Sequence, residues 1–418
     1  MATFEQLRAS FPEDSHEKGK EFEDFLIWFF RNHPEYKTRF RKVWHFRDWQ
    51  GKWSGKGIGT DLIAEDVHGK ICAIQAKFYK AENQIPKGDV DSFLSDSART
   101  EVDYHLLIAT TDKVGLNATV TIEGQEKPVQ TFLLADFLKP FKWPRSIKAL
   151  KSYKPRKPHT PRPHQRAAIN EVCKKIDGRG QLIMACGTGK TLTGQRIAEQ
   201  LKADTTLVLL PSLLLLSKTL SDWLSEAKQD FLFLPVCSDA SVTRKATDEI
   251  QLSTSELSHP STTDSQEIAD FLSLKGSKVI FSTYQSSPQI AAAFKSHELE
   301  PFDLIIADEA HRCAGKVSSD YATVLDEKEI PAHHRLFMTA TPRVYQANIK
   351  KAAADREIQI ASMDDESIFG PVLHRLSFGD AIEKDLLTDY RVVVVGVNDA
   401  SYQEMVESRE LIKTETGI

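Results

Sequence analysis

The sequence predicts an α/β protein of more than one domain, and three observations carry that expectation. Phe22, Phe25, Leu26, Phe29 and Phe30 recur at helical spacing near the N-terminus, and short alternating strands follow them. Beyond residue 160, largely apolar runs at Gln181–Met184, Thr206–Leu210, Lys278–Phe281, Leu304–Ala307 and Arg335–Met338 alternate with helical segments. Such runs are the strands of a parallel sheet covered on both faces. Between the two patterns, residues 137–170 contain no acidic residue but many prolines and cations, from Lys139 to Arg166.

These patterns set the expected domains: residues 1–144, a linker at 145–160, a parallel-sheet domain at 161–362, and the start of another domain at 363–418. The linker composition predicts an extended, solvated connector, with a nucleic-acid phosphate contact as the alternative. The polar stretch 238–265 reads as a long surface loop with helical fragments, and residues 391–397 as a strand. A net charge of −5 confines any nucleic-acid surface to a local patch. The cysteines (72, 173, 186, 237 and 313) show no CxxC pairing, which suits a reducing compartment and gives no zinc site. The N-terminus is too polar for a secretory signal, and the longest aliphatic stretch, at 207–216, is broken by Pro211 and Ser212. A cytoplasmic protein without membrane contact is expected.

The first chemical motif is ACGTGKT at residues 185–191. Gly187, Thr188 and Gly189 form a tight loop whose backbone N–H groups can cradle phosphate. Lys190 reaches the terminal phosphates, and the Thr191 hydroxyl can ligate magnesium. The generic pattern begins with glycine, where this chain has Met184. The second motif is DEAH at 308–311, delivered by an apolar strand: Asp308 to hold magnesium through water, Glu309 to orient or activate the attacking water.

A third constellation lies upstream. Gly57–Thr60 turns the chain into a strand at 61–64, and a hairpin through His68-Gly69 leads to a second strand at 71–78. Period-2 alternation puts Gln75 and Lys77 on one face, where Asp61 can join them. A carboxylate, an amide oxygen and an ammonium so placed suit metal-assisted phosphodiester hydrolysis, with Asp61 and Gln75 as ligands of a hard cation. The aromatic and cationic residues between Tyr36 and Trp53 read as half core and half solvated face.

The wording and order of RPHQ (162–165), ACGTGKT, LLPS (209–212), STYQS (282–286), DEAH and TATP (339–342) resemble superfamily 2 helicases. The resemblance implies that Gln165 contacts adenine, that Thr283 and the Pro211–Ser212 region track a DNA strand, and that Thr339 and Thr341 couple ATP state to DNA grip. GKEFE at 19–23 and the D…QxK spacing resemble the Mrr-like branch of PD-(D/E)xK nucleases, in which Glu23 is the helical acid and the second acidic position is often Gln. A neutral Gln75 implies weaker metal affinity than a carboxylate would give.

Taken along its length, the chain resembles the N-terminal portion of type ISP restriction–modification enzymes. The implied fold is a restriction-endonuclease-like domain, a RecA-like P-loop domain and the start of a second RecA-like domain. The implied activity is ATP-dependent translocation on double-stranded DNA coupled to cleavage. ATP and Mg2+ would be the cofactors. Methyltransferase and target-recognition regions would lie in the same full-length polypeptide or in a partner subunit. No methyltransferase motif or arginine finger is read before residue 418, so the expectation is a fragment that binds nucleotide and hydrolyses it poorly. The restriction subunit of a type I-like system, and an ATP-dependent remodeller or binding module with an inert nuclease fold, remain as alternatives.

Overall fold

The computed structural model describes residues 2–34, 36–51, 53, 59–139, 141–238, 261–316, 320–346 and 359–389. The chain divides into two units, Met1–Ser377 and Phe378–Ile418. Among the described residues the second unit holds one helix, Phe378–Glu383. The architecture below is that of the first.

Helices α1 (Phe4–Arg8) and α2 (Ser15–Asn32) open the chain. Asp14 caps α2 by accepting the N–H groups of His16 and Glu17 at 3.0 and 2.9 Å. The apolar stripe read from the sequence is buried along its whole length. Each such side chain contributes roughly 1.5–3 kcal/mol on burial, so packing rather than intrinsic propensity holds this helix. The helix stops at His33, whose backbone is extended, because Pro34 disfavours a helical residue before it.

A five-stranded sheet follows. Its strands are β1 (Phe40–His45), β2 (Leu62–Asp66), β3 (Ile71–Lys77), β5 (Tyr104–Ala109) and β7 (Val129–Phe132), in the order β1-β2-β3-β5-β7. The short β4 (Gln84–Ile85) and β6 (Lys113–Val114) pair separately. The first three strands are antiparallel, and β3, β5 and β7 are parallel. Leu62, Ala64, Cys72 and Ile74 face α2, while Ile63 and Ala73 face α3 (Lys87–Ser97) and α4 (Leu116–Glu123). By this alternation Gln75 and Lys77 share the α3 face with Ala73. In the aromatic and cationic stretch, Tyr36, Phe40 and Phe46 are core. Arg39 is buried with them, over the rings of Tyr36, Phe40 and Tyr104, and donates to Gln130 Oε1 at 2.7 Å.

Within the connector, residues 153–160 form no helix or strand and are mostly exposed, while the residues before them pack on the first domain. After α5 (Leu134–Phe137), Trp143 is buried beside Phe4 and Phe29, and Tyr153 packs edge-on against Trp28 at 4.9 Å. Its far end is held by charge. Arg156 pairs with Glu226, and the His159 N–H donates to the same carboxylate at 2.6 Å. Apolar residues spaced among the cations supply the contacts, which a reading by composition alone could not weigh.

The second sheet has seven parallel strands in the order β10-β11-β9-β12-β14-β8-β16. It comprises β8 (Arg179–Met184), β9 (Thr205–Leu210), β10 (Leu232–Val236), β11 (Lys278–Thr283), β12 (Phe302–Asp308), β14 (Ala332–Thr339) and β16 (Val372–Leu376). A separate pair joins β13 (Gly315–Lys316) to β15 (Ile360–Ala361). Around the main sheet lie α6 (Pro163–Lys175), α7 (Lys190–Leu201), α8 (Leu213–Glu226), α9 (Ser265–Ser273) and α10 (Ser287–Ser296). Five strands match the apolar runs. The edge strand β10 was hidden by Pro235, which is tolerated at an edge. β16 lies beside β8, so the boundary drawn at 362/363 falls within the first parallel-sheet domain. The strand expected at 391–397, and residues 239–260 of the polar loop, lie outside the described residues.

The two sheets meet at the β2–β3 hairpin. Lys70 pairs with Glu267 of α9 at 2.5 Å, the His68 ring lies 5.8 Å from that of Phe271, and Lys37 pairs with Asp230. Among the described residues no helix is long and apolar enough to cross a membrane.

Candidate functional site

Asp61 sits one residue before β2, and its N–H donates to Ile74 O on β3 at 3.0 Å. Its Oδ2 accepts the Ala76 N–H at 2.7 Å, which fixes the carboxylate across the strand pair. The close approach of the preceding turn requires glycine at residue 59: a Cβ there would lie 2.7 Å from the Phe93 Cα of α3. Burial pushes the Asp61 carboxyl up to about 6, with the nearby Glu23 adding to the rise and the Ala76 N–H and Lys77 opposing it.

Gln75 is 1% exposed, and its Oε1 has no hydrogen-bond partner. A buried amide oxygen left unpaired costs about 1–3 kcal/mol. A hard cation takes oxygen ligands, so this orphaned oxygen and the high carboxyl of Asp61 fit one. Among the described residues no group of three His, Cys, Asp or Glu side chains could hold a metal, so Gln75 and backbone or solvent oxygens would have to complete the set.

Lys77 lies two positions along the same face, its Nζ 3.9 Å from Asp89 Oδ1. The Tyr79 hydroxyl donates to the other oxygen of Asp89. Glu23 on α2 is brought to the same end of the sheet, where His45 Nδ1 lies 3.3 Å from its Oε2 and His45 Nε2 lies 2.8 Å from Asp24 Oδ1. Burial raises the Glu23 carboxyl, and His45 opposes the rise. Asp89 and His45 were missed because α3 and β1 reach the site by packing, and Tyr79 because it falls two residues past Lys77, beyond the end of β3.

The nucleotide site forms at the C-terminal edge of the second sheet. Gly187 and Gly189 have φ of +80° and +86°, so the loop takes the left-handed path that glycine permits. Gly189 also caps α7, which begins at Lys190. Lys190 is 9% exposed, donates to Met184 O at 3.4 Å and lies 3.9 Å from Glu309 Oε1. Asp308 ends β12 beside them. Burial, then the neighbouring Glu309, raises its carboxyl to about 6, with Lys190 and His311 opposing. Glu309 is lowered, first by its bond to His311 and also by Lys190, against burial. The His311 Nδ1 lies 3.4 Å from Glu309 Oε2 and 3.1 Å from Thr339 Oγ1, which in turn accepts the Thr341 N–H at 3.1 Å. The acid of DEAH and the threonines of TAT are thus joined through one imidazole. These residues fit a magnesium–nucleotide, with Thr191 and Asp308 for the metal and the loop for phosphate.

Other motif residues make contacts within the chain. Gln165 is buried against the loop: its Nε2 donates to Gly189 O at 3.2 Å and its Oε1 accepts the Arg162 N–H at 2.8 Å. Thr283 is fully buried and bonds Ser286 Oγ at 3.1 Å. Ser212 caps α8, accepting the Leu215 N–H at 3.4 Å.

Residues 31–149 match the family model described as a restriction endonuclease. Residues 158–344 match the one described as a type III restriction enzyme, res subunit. The chain joins a restriction-endonuclease domain to a restriction-helicase domain. Its structure matches that of the ATP-dependent type ISP restriction–modification enzyme LlaBIII bound to DNA, with TM-score 0.74 and 31% identity, covering 100% of this chain and 28% of that one. A nuclease-deletion mutant of a second type ISP enzyme, LlaGI, solved with a DNA substrate mimic, is 31% identical over 61% of this chain and 23% of its own, with TM-score 0.42. The probable helicase A859L of African swine fever virus is 29% identical over 244 residues, 57% of this chain and 25% of the viral protein. The chain therefore spans about a quarter of the length of these relatives. Restriction nucleases and helicases generally use Mg2+ and ATP, which agrees with the two sites. The endonuclease match begins after Glu23, whereas the LlaBIII match includes it.

Proposed function

We propose that this chain is the nuclease–motor portion of an ATP-dependent restriction endonuclease that translocates on double-stranded DNA and cleaves it. The observation that carries the proposal is a single compact unit holding both the Asp61–Gln75–Lys77 cluster and an assembled phosphate loop facing Asp308 and Glu309. At the first site a bound magnesium ion would polarise the phosphate and lower the pKa of a bound water. Asp61 and Gln75 supply oxygen ligands, Lys77 offsets charge growing on the phosphate, and Glu23 helps to orient the water. Water oxygen bonds to phosphorus and releases a proton to solvent as the bond to the leaving sugar oxygen breaks, and that oxygen takes a proton from solvent. At the second site Lys190 and the loop hold the phosphates and Glu309 directs the attacking water. His311 links that acid to Thr339 and Thr341, a route by which nucleotide state reaches the DNA grip.

The same proposal includes slow ATP turnover by this chain alone, since no arginine finger is read in it and such a residue is worth about 10³–10⁵ in rate. It also includes cytoplasmic action, and methyltransferase and target-recognition regions in the full-length polypeptide or a partner. An ATP-dependent binding module with an inert nuclease is the second reading, favoured by the neutral Gln75. Plasmid nicking and DNA-stimulated ATP hydrolysis, measured on wild type, Lys77→Ala and Lys190→Ala, separate the two. Loss of nicking only in the first variant and of hydrolysis in the second supports the nuclease–motor reading. Hydrolysis without metal-dependent nicking supports the inert module.

A further inference from the structure

Asp89 belongs to neither family motif, yet three features converge on it. It lies in the first turn of α3, where the helix N-terminus favours a negative charge, and Val90, Phe93 and Leu94 beside it are buried in the core. One carboxylate oxygen faces the Lys77 ammonium at 3.9 Å and the other accepts the Tyr79 hydroxyl. Lys77 and Tyr79 are alternate residues of one extended segment, so both project to the same side. The Tyr79 backbone is itself fixed: its N–H donates to Thr110 Oγ1 at 2.8 Å, and that hydroxyl donates back to Tyr79 O at 2.6 Å.

A lysine has four rotatable bonds, and that freedom must be restrained for its ammonium to stay in one place. Lys77 and Asp89 are each a little over a quarter exposed, so this contact is placed to hold the ammonium back from solvent. From these contacts we propose that Asp89, braced by Tyr79, is a positioning residue that aims Lys77 at the scissile phosphate. The inference rests on the nuclease reading above. Asp89 touches Lys77 and not the Asp61–Gln75 pair, so it acts on turnover rather than on metal binding.

The test is a double-mutant cycle on the full 418-residue chain, read as metal-dependent plasmid nicking at saturating magnesium or manganese. Asp89→Asn keeps the shape and the acceptor for Tyr79 but removes the charge. It should lower kcat about 10–100-fold, the usual cost of losing an outer-shell partner, and leave the metal midpoint unchanged. Tyr79→Phe should lower kcat by less, and Asp89→Glu should restore part of the loss. In a Lys77→Ala background, Asp89→Asn should change the residual rate less than twofold. Wild-type kcat in Asp89→Asn, or an undiminished effect of it without Lys77, overturns the assignment while leaving the nuclease reading intact. A shifted metal midpoint or a lowered Tm with the kcat loss, unrelieved by Asp89→Glu, shows a merely structural role and also overturns it. Absence of nicking by wild type overturns the nuclease reading itself, and this assignment with it.

Discussion

Metal binding at the nuclease site should compete with a proton on Asp61, and the perturbation to apply is pH. With the Asp61 carboxyl raised to about 6 by burial, the metal-free site is half protonated at that pH. The ligand must be ionised, so the apparent metal midpoint scales as one plus the ratio of proton concentration to Ka. That factor is about 1 at pH 8, about 2 at pH 6 and about 11 at pH 5. Nicking titrated with magnesium at each pH should therefore show a midpoint about tenfold higher at pH 5 than at pH 8. Stability gives a second readout. The folded pKa lies above the unfolded one, so this group's contribution is full below about 4 and is lost as pH rises through about 6. Magnesium should restore it, raising Tm at pH 8 and much less at pH 5. A midpoint flat from pH 5 to 8, or the same pH dependence in Asp61→Asn, would refute the reasoning.

Other expectations follow from named contacts. Arg196 is 1% exposed and holds Glu199, the Glu226 carbonyl and the His159 carbonyl, so Arg196→Ala should cost about 3 kcal/mol by leaving its partners unpaired, measured by denaturant unfolding. Gly59→Ala would set a Cβ 2.7 Å from the Phe93 backbone and should destabilise by about 1–3 kcal/mol, read as a lower Tm. His311→Ala removes the link between Glu309 and Thr339. ATP binding should stay close to wild type while DNA stimulation of hydrolysis falls, as checked by nucleotide fluorescence and phosphate release.

What the sequence revealed was local. Short apolar runs before ACGTGKT and DEAH announce strands because a parallel strand buried on both faces is nearly continuous in apolar residues. The same rule failed for β10, whose Pro235 sits at an edge, and for β16, which joins β8 from almost two hundred residues away. In the nuclease half, the pleat alone put Gln75 and Lys77 together. Asp89 and His45 stayed hidden because α3 and β1 reach the site by packing, and packing leaves no periodic trace. In the connector, composition speaks for the exposed residues 153–160 but not for the ring contact that ties Tyr153 to Trp28.

The most direct test of the central claim is supercoiled-plasmid nicking by this chain with magnesium or manganese, beside Asp61→Ala and Lys77→Ala. Wild type should show metal-dependent nicking that each substitution lowers to a small residual rate. Nicking at the wild-type rate in both variants would place the chemistry elsewhere.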